Sequence, residues 1–85
     1  MQYKVTEFNE DDLGGRSNFR TEIVELKYCD KKHFEALSMI KLAEGAYCEF
    51  KSRIRLINGL PKKVVTKFIC RDLKHQKITT YKLVY

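Results

Sequence analysis

From Ala46 to Leu56 the chain alternates with a period of two. Cys48, Phe50, Ser52, Ile54 and Leu56 fall on one side, and Glu49, Lys51, Arg53 and Arg55 on the other. Successive side chains of an extended chain point to opposite faces, so this run predicts a strand with one dry and one wet side. Asn58-Gly59-Leu60-Pro61 follows. It is turn chemistry, because Asn and Gly tolerate positive φ and Pro cannot donate to a ladder. Val64, Thr66, Phe68 and Cys70 then alternate with Val65, Lys67, Ile69 and Arg71. After a second turn at 73–76, residues 78–85 read as a last strand with Tyr81, Leu83 and Tyr85 on one face. Three strands joined by two turns constrain this half of the chain to antiparallel sheet.

The first half supplies the remaining elements. Gln2 to Phe8 reads as a strand with Tyr3 and Val5 on one side. Residues 9–18 are polar, acidic and contain the only Gly-Gly pair, which predicts a flexible loop. Phe19 to Cys29 predicts a second strand. Its apolar groups lie on both faces, as expected of a strand well inside the sheet. Asp30 is a helix N-cap candidate, since its short side chain can accept from the first-turn N–H groups. Phe34, Leu37, Ile40 and Lys41 then recur at helical spacing as far as Glu44-Gly45, predicting about 13 residues of amphipathic helix. Met39 and Leu42 fall off the stripe and are expected to broaden its core contact. The fold class is therefore α+β, an antiparallel sheet with one helix packed on one face, in the order β-β-α-β-β-β. The 85 residues make one domain.

Charge divides the chain. Residues 1–45 hold 7 basic and 9 acidic side chains, whereas residues 46–85 hold 10 and 2, within an overall net charge of +6. Pairing Leu56 with Val64, or slipping that register by two, opposes like charges on the wet face. Arg53 or Arg55 then meets Lys67, and Glu49 or Lys51 meets Arg71. Setting Phe68 opposite Tyr81, and Val64 opposite Tyr85, brings Lys67 to Lys82. Directly opposed like charges are destabilising, so a face of this kind points to an anionic occupant. Lys51, Arg53, Arg55, Lys62, Lys63, Lys67, Arg71, Lys74, Lys77 and Lys82 are the candidate contacts to it. Lys and Arg on a sheet can neutralise phosphates without reading sequence. Single-strand binders normally add exposed stacking rings. Tyr47 is the best candidate here but reads more readily as a core edge, as do Tyr3, Tyr28, Tyr81 and Tyr85. A duplex or structured RNA therefore fits better than base stacking. An acidic protein surface is the alternative partner. Glu7, Glu10, Asp11 and Asp12 could also fold over the basic face, and self-association through that loop is a further possibility.

Other chemistries are weakly supported. Cys29, Cys48 and Cys70 lack a CxxC pair, and the spacings Cys29-xxx-His33 and Cys70-xxxx-His75 are poor zinc ligand patterns, so no metal is expected. With no basic-then-apolar leader, the thiols read as free in a reducing, cytoplasmic setting. No apolar run approaches a membrane span. A domain of this size buries about 60–65% of its unfolded surface, which leaves little room for an enclosed cofactor, and none is expected. The Gly14-Gly15-Arg16 segment lacks phosphate-loop spacing. No nucleophile, base and orienter align for hydrolysis. The one acid–base group near cations is His75, among Arg71, Lys74, Lys77 and Tyr81, which could serve a metal-free ribonuclease. In length and Lys-rich strands the chain resembles small phage or plasmid accessory proteins, which implies binding to, and blocking of, a host component. The reading reached here is a non-enzymatic binding protein that contacts nucleic acid. An inhibitor or adaptor docking on an acidic host surface comes second, and a small ribonuclease third.

Overall fold

The computed structural model describes residues 1–10, 13–26 and 30–84, without the side chains of residues 18 and 19. Its elements are β1 (Gln2–Glu10), β2 (Arg16–Glu25), α1 (Lys31–Ala43), β3 (Ala46–Ile57), β4 (Leu60–Asp72) and β5 (Lys77–Leu83). One five-stranded sheet runs in the order β2-β1-β5-β4-β3, with every neighbouring pair antiparallel. The single helix packs over β3 and β4. The class is α+β, as the alternation pattern predicts.

Local chemistry sets the helix ends. The Asp30 carboxylate accepts from the His33 N–H at 3.0 Å, which satisfies one of the first-turn donors. At the other end Gly45 takes φ +86°, a conformation that costs most residues steric strain. Phe34 is the only fully buried helix residue. Its ring lies 5.6 Å from Tyr3, 5.2 Å from Phe68 and 6.1 Å from Tyr81, centroid to centroid. One side chain thus joins α1 to β1, β4 and β5. The Tyr3 hydroxyl is buried and donates to the Val65 carbonyl at 2.6 Å, which removes the penalty of a dry polar group.

Two expectations for the helix fail. Ile40 is mostly exposed, and so are Met39 and Leu42. A helix resting on only two strands buries a narrow stripe, so residues off the Phe34 line have nothing beneath them.

The β3–β4 hairpin reconciles two incompatible registers. Asn58 and Gly59 have φ of 53° and 76°, and Ile57 pairs with Leu60 across them. This two-residue loop, positive in φ at both positions, matches the twist of the flanking strands. It pairs odd residues of β3 with even residues of β4. The core requires the opposite parity, with Cys48 facing Cys70 and Phe50 facing Phe68. The register shift between Lys51 and Ser52 absorbs the difference, because Thr66 is left over as a bulge. The Thr66 hydroxyl donates to the Lys51 carbonyl at 3.2 Å, tying the bulge down. Neither register expected from the sequence forms. The core side sits two residues away from the Leu56–Val64 pairing, and Leu56 faces Pro61.

The second hairpin pairs Phe68 with Tyr81 and Lys67 with Lys82, as its pattern predicts. Val64 instead bridges Asp30, and Tyr85 lies outside the described residues. β4 pairs with β5 only from Lys67 to Asp72, so the β3–β4 hairpin overhangs the sheet and the molecule measures 47 × 25 × 17 Å.

The N-terminal half also departs from expectation. Pairing of Asn9 with Ser17 and Glu10 with Arg16 extends the first hairpin into segment 9–18. β2 is an edge strand, not an interior one, because β1 spends its second edge on β5. Apolar residues on both faces of β2 do not make it central: Ile23 is mostly exposed. The part of the expected strand at 27–29 lies outside the described residues.

Two outcomes test this architecture. Phe34→Ala should lower the unfolding free energy measured in urea by about 3–5 kcal/mol, since nothing else can fill the ring's place. Deleting Thr66 should leave Lys51–Lys67 and Ser52–Val65 paired as adjacent rungs of a regular ladder. Cross-strand contacts between these residues in solution NMR would check it, and unfolding of the deletion variant would disprove the bulge assignment.

Candidate functional site

The face of the sheet opposite the helix carries the basic residues. Alternation from Phe68, Tyr81 and Tyr3, which all contact Phe34, places Lys67, Lys82 and Lys4 on that outer face. The ladder then sets them in one row. Lys4 pairs with Lys82, Lys82 with Lys67, and Lys67 with Lys51. Four lysines on four adjacent strands stand directly opposite one another, with neighbouring strands about 4.8 Å apart. Among the described residues none of the four has a salt-bridge partner. Each opposed pair costs roughly 0.2–1 kcal/mol relative to neutral residues.

The neighbouring rows are less charged. Thr6, Thr80, Ile69 and the acid Glu49 form the next, and Phe8, Ile78, Arg71 and Tyr47 the one beyond. A shallow depression of about 330 Å³ lies among Lys4, Thr6, Phe8, Arg16, Lys67 and Lys82. The Arg16 guanidinium sits 5.2 Å from the centre of the Phe8 ring, a cation–π contact that fixes this cation at the rim.

The other sequence-derived candidates divide into groups. Beyond the bulge Arg53, Arg55 and Lys62 share one side of the arm, opposite Val64, Lys62 and Arg55 respectively, but that side also holds the buried Val64 and Ile57, which packs against the core. Lys63 pairs with Ile54 and so lies on the reverse face of that arm. Arg71 is on the outer face but is partly neutralised by Glu10 at 3.7 Å. Lys77 faces the helix side and meets Glu7 at 3.5 Å. Lys74 is exposed in the β4–β5 turn. Between Lys51 and Arg71 the chain has seven cations and no acid.

Sequence reasoning missed one contributor and set a second, Tyr47, aside. Lys4 completes the row, and its parity opposite Tyr3 and Val5 is visible in the sequence. What the sequence lacks is any sign that β1 lies beside β5. Tyr47 was read as a core edge, yet it is 60% exposed on the outer face, across from Arg71. Its position at the free edge of β3 leaves no strand to cover it. Of the acids expected to screen the face, Glu10 does so at Arg71, Glu7 points to the helix side, and Asp11 and Asp12 lie outside the described residues.

His75 stands exposed in the β4–β5 turn, next to Lys74 and lining a shallow depression with Arg16. Its Nδ1 is 2.8 Å from an Asp72 carboxylate oxygen, and the same carboxylate accepts the His75 backbone N–H at 3.1 Å. This is a turn-closing pattern. Arg71 is on one face of the sheet, and Lys77 and Tyr81 are on the other. Cys48 and Cys70 oppose each other beneath the helix. Burial, together with Cys70, pushes the Cys48 thiol up to about 12, which keeps it protonated near neutrality. Burial likewise pushes the Tyr81 phenol up. Among the described residues no group of three or more His, Cys, Asp or Glu could hold a metal. No helix there is long and apolar enough to cross a membrane.

No protein-family model, curated protein sequence or solved structure matches this chain.

The Asp72–His75 contact holds the Asp72 carboxyl below its ordinary range, chiefly through the hydrogen bond from the imidazole. A carboxyl titration by NMR should find Asp72 depressed, and His75→Ala should return it toward the usual value. Because the folded value is the lower one, the stability this contact gives is present above the unfolded carboxyl pKa and is lost as pH falls through the folded one.

Proposed function

We propose that this protein binds nucleic acid through the outer face of its sheet, by phosphate contact and not by chemistry on the ligand. One observation carries the reading. Four lysines stand in register on adjacent strands with no salt-bridge partner among the described residues, while Glu49 lies on the same face beside Lys51 and Lys67. A row of that kind lowers the stability of the free protein and returns the cost when an anionic polymer lies across it. The face is open and holds only a shallow depression, so it suits an extended backbone better than a small enclosed ligand. Arg16 extends the positive surface beside the row, at the rim of the depression.

The rings available for stacking are few. Tyr47 is exposed, while Phe8 is covered by Arg16. The reading therefore favours duplex or structured nucleic acid, held by its backbone, over a single strand threaded between aromatic side chains. Affinity is expected to depend weakly on sequence and steeply on salt.

Titration of the protein with duplex DNA, duplex RNA and single strands at several salt concentrations tests this. Neutralising four phosphates gives a slope of log K against log salt of about −3 to −4. Lys4→Ala and Lys82→Ala should each reduce the slope by about 1 and weaken all duplex sequences alike. Lys77→Ala, on the helix side, should leave it unchanged. Absence of binding to every nucleic acid sinks the reading and promotes an acidic protein surface as the occupant.

A further inference from the structure

Four large apolar side chains near the free edge of β3 face solvent. Met39 and Leu42 on α1 are 74% and 68% exposed, and Ile54 and Leu56 on β3 are 67% and 76% exposed. We propose that they are the two halves of one interface: β3 pairs antiparallel with β3 of a second copy, about a two-fold axis at Ser52.

Hydrogen-bond parity comes first. The two-residue loop closes on Ile57–Leu60 as a hydrogen-bonded pair, so the odd residues of β3 bond to β4. The amides and carbonyls of the even residues then point to the free edge. Pro61, which has no N–H to give, sits opposite Leu56 at a position where the ladder asks for none. A symmetric pair of these edges must bring even residues together, which centring on Ser52 does.

From that centre, Ile54 faces the partner's Phe50 and Leu56 faces the partner's Cys48. On the outer side Glu49 faces the partner's Arg55, twice by symmetry. Lys51 meets the partner's Arg53, which continues the basic surface from one copy to the next. Centring on Lys51 or Arg53 instead stacks that cation on its own copy at the axis and sets Phe50 or Ile54 against Ser52. Ser52 is therefore a more complementary centre than either of its neighbours.

The helix supplies the cover. Asp30 at its start bridges Val64, which pairs with Arg53, so α1 spans β3 only from Ala46 to about Ser52. Ile54 and Leu56 overhang beyond it. In the symmetric pair each overhang lies beside the covered half of the other copy. Leu37, Lys41 and Glu44 line the cleft toward β1 and β5. At 100° per residue, Leu42 and Met39 stand on the opposite flank, above the free edge. The partner's Leu42 then comes down over Leu56, and the partner's Met39 over Ile54. One symmetry operation covers four exposed apolar groups and an open strand edge, a combination that a lone chain leaves as an aggregation hazard. The interface is independent of the nucleic-acid reading. It would nonetheless join both lysine rows into one band across eight strands.

Sedimentation at tens of micromolar should give twice the 10.1 kDa chain mass. Ile54→Lys should halve that mass and leave the far-UV circular dichroism unchanged. Ser52→Cys places a thiol against its own symmetry mate, within the Cα range a disulfide spans. Mild oxidation should cross-link this variant into dimers, while Lys51→Cys, two residues off register, should cross-link poorly. A chain of monomer mass at every concentration overturns the proposal. So does a dimer that Ile54→Lys leaves intact, or cross-linking through Lys51→Cys but not Ser52→Cys.

Discussion

The aromatic contact around Phe34 is the interaction on which the remaining geometry depends. A helix with one fully buried side chain has little other hold on its sheet. The ring meets Tyr3, Phe68 and Tyr81 at once, on three adjacent strands. That contact fixes which face of β1, β4 and β5 is dry. Alternation then leaves Lys4, Lys67 and Lys82 on the other side. The polar character of the outer face is therefore a consequence of how the core is filled, with no separate device required.

The same economy explains the bulge. A tight Asn-Gly loop and a packed Phe50–Phe68 pair each demand a register, and the two differ by one residue. Inserting Thr66 satisfies both, and the bulge marks where the sheet ends and the overhanging arm begins. Ile54 and Leu56 are exposed because they lie past that point and past the start of the helix. Their exposure follows from the lengths of the elements, and it leaves an edge suited to pairing with its own kind.

Much of this was legible in the sequence and some was not. The strand at 46–57, the Asp30 cap and the Gly45 stop are visible because each rests on local chemistry: alternation, a carboxylate at an N-cap, a residue tolerant of positive φ. The Phe68–Tyr81 and Lys67–Lys82 pairs were also legible, since parity and a short turn leave few choices. The β3–β4 register was misread because the bulge is decided by a conflict between turn and core that neither segment shows alone. The edge position of β2 and the exposure of Met39, Ile40, Leu42 and Tyr47 were misread for a related reason. Apolar character reports what a residue would gain by burial, not whether another element arrives to cover it.

The candidate site divides along the same line. The sequence by itself determined that the second half of the chain carries a large positive excess and that alternation sends much of it to one side of a sheet. Hydrophobic pattern is a local property, so it can be read without knowing neighbours. Only the tertiary structure decided that β1, from the acidic half, lies between β2 and β5 and brings Lys4 into line with Lys82, Lys67 and Lys51. Strand order depends on which edges find partners across the whole chain, and pairing of the first and last strands is a contact between residues nearly eighty positions apart. The row of four lysines exists because of that one contact.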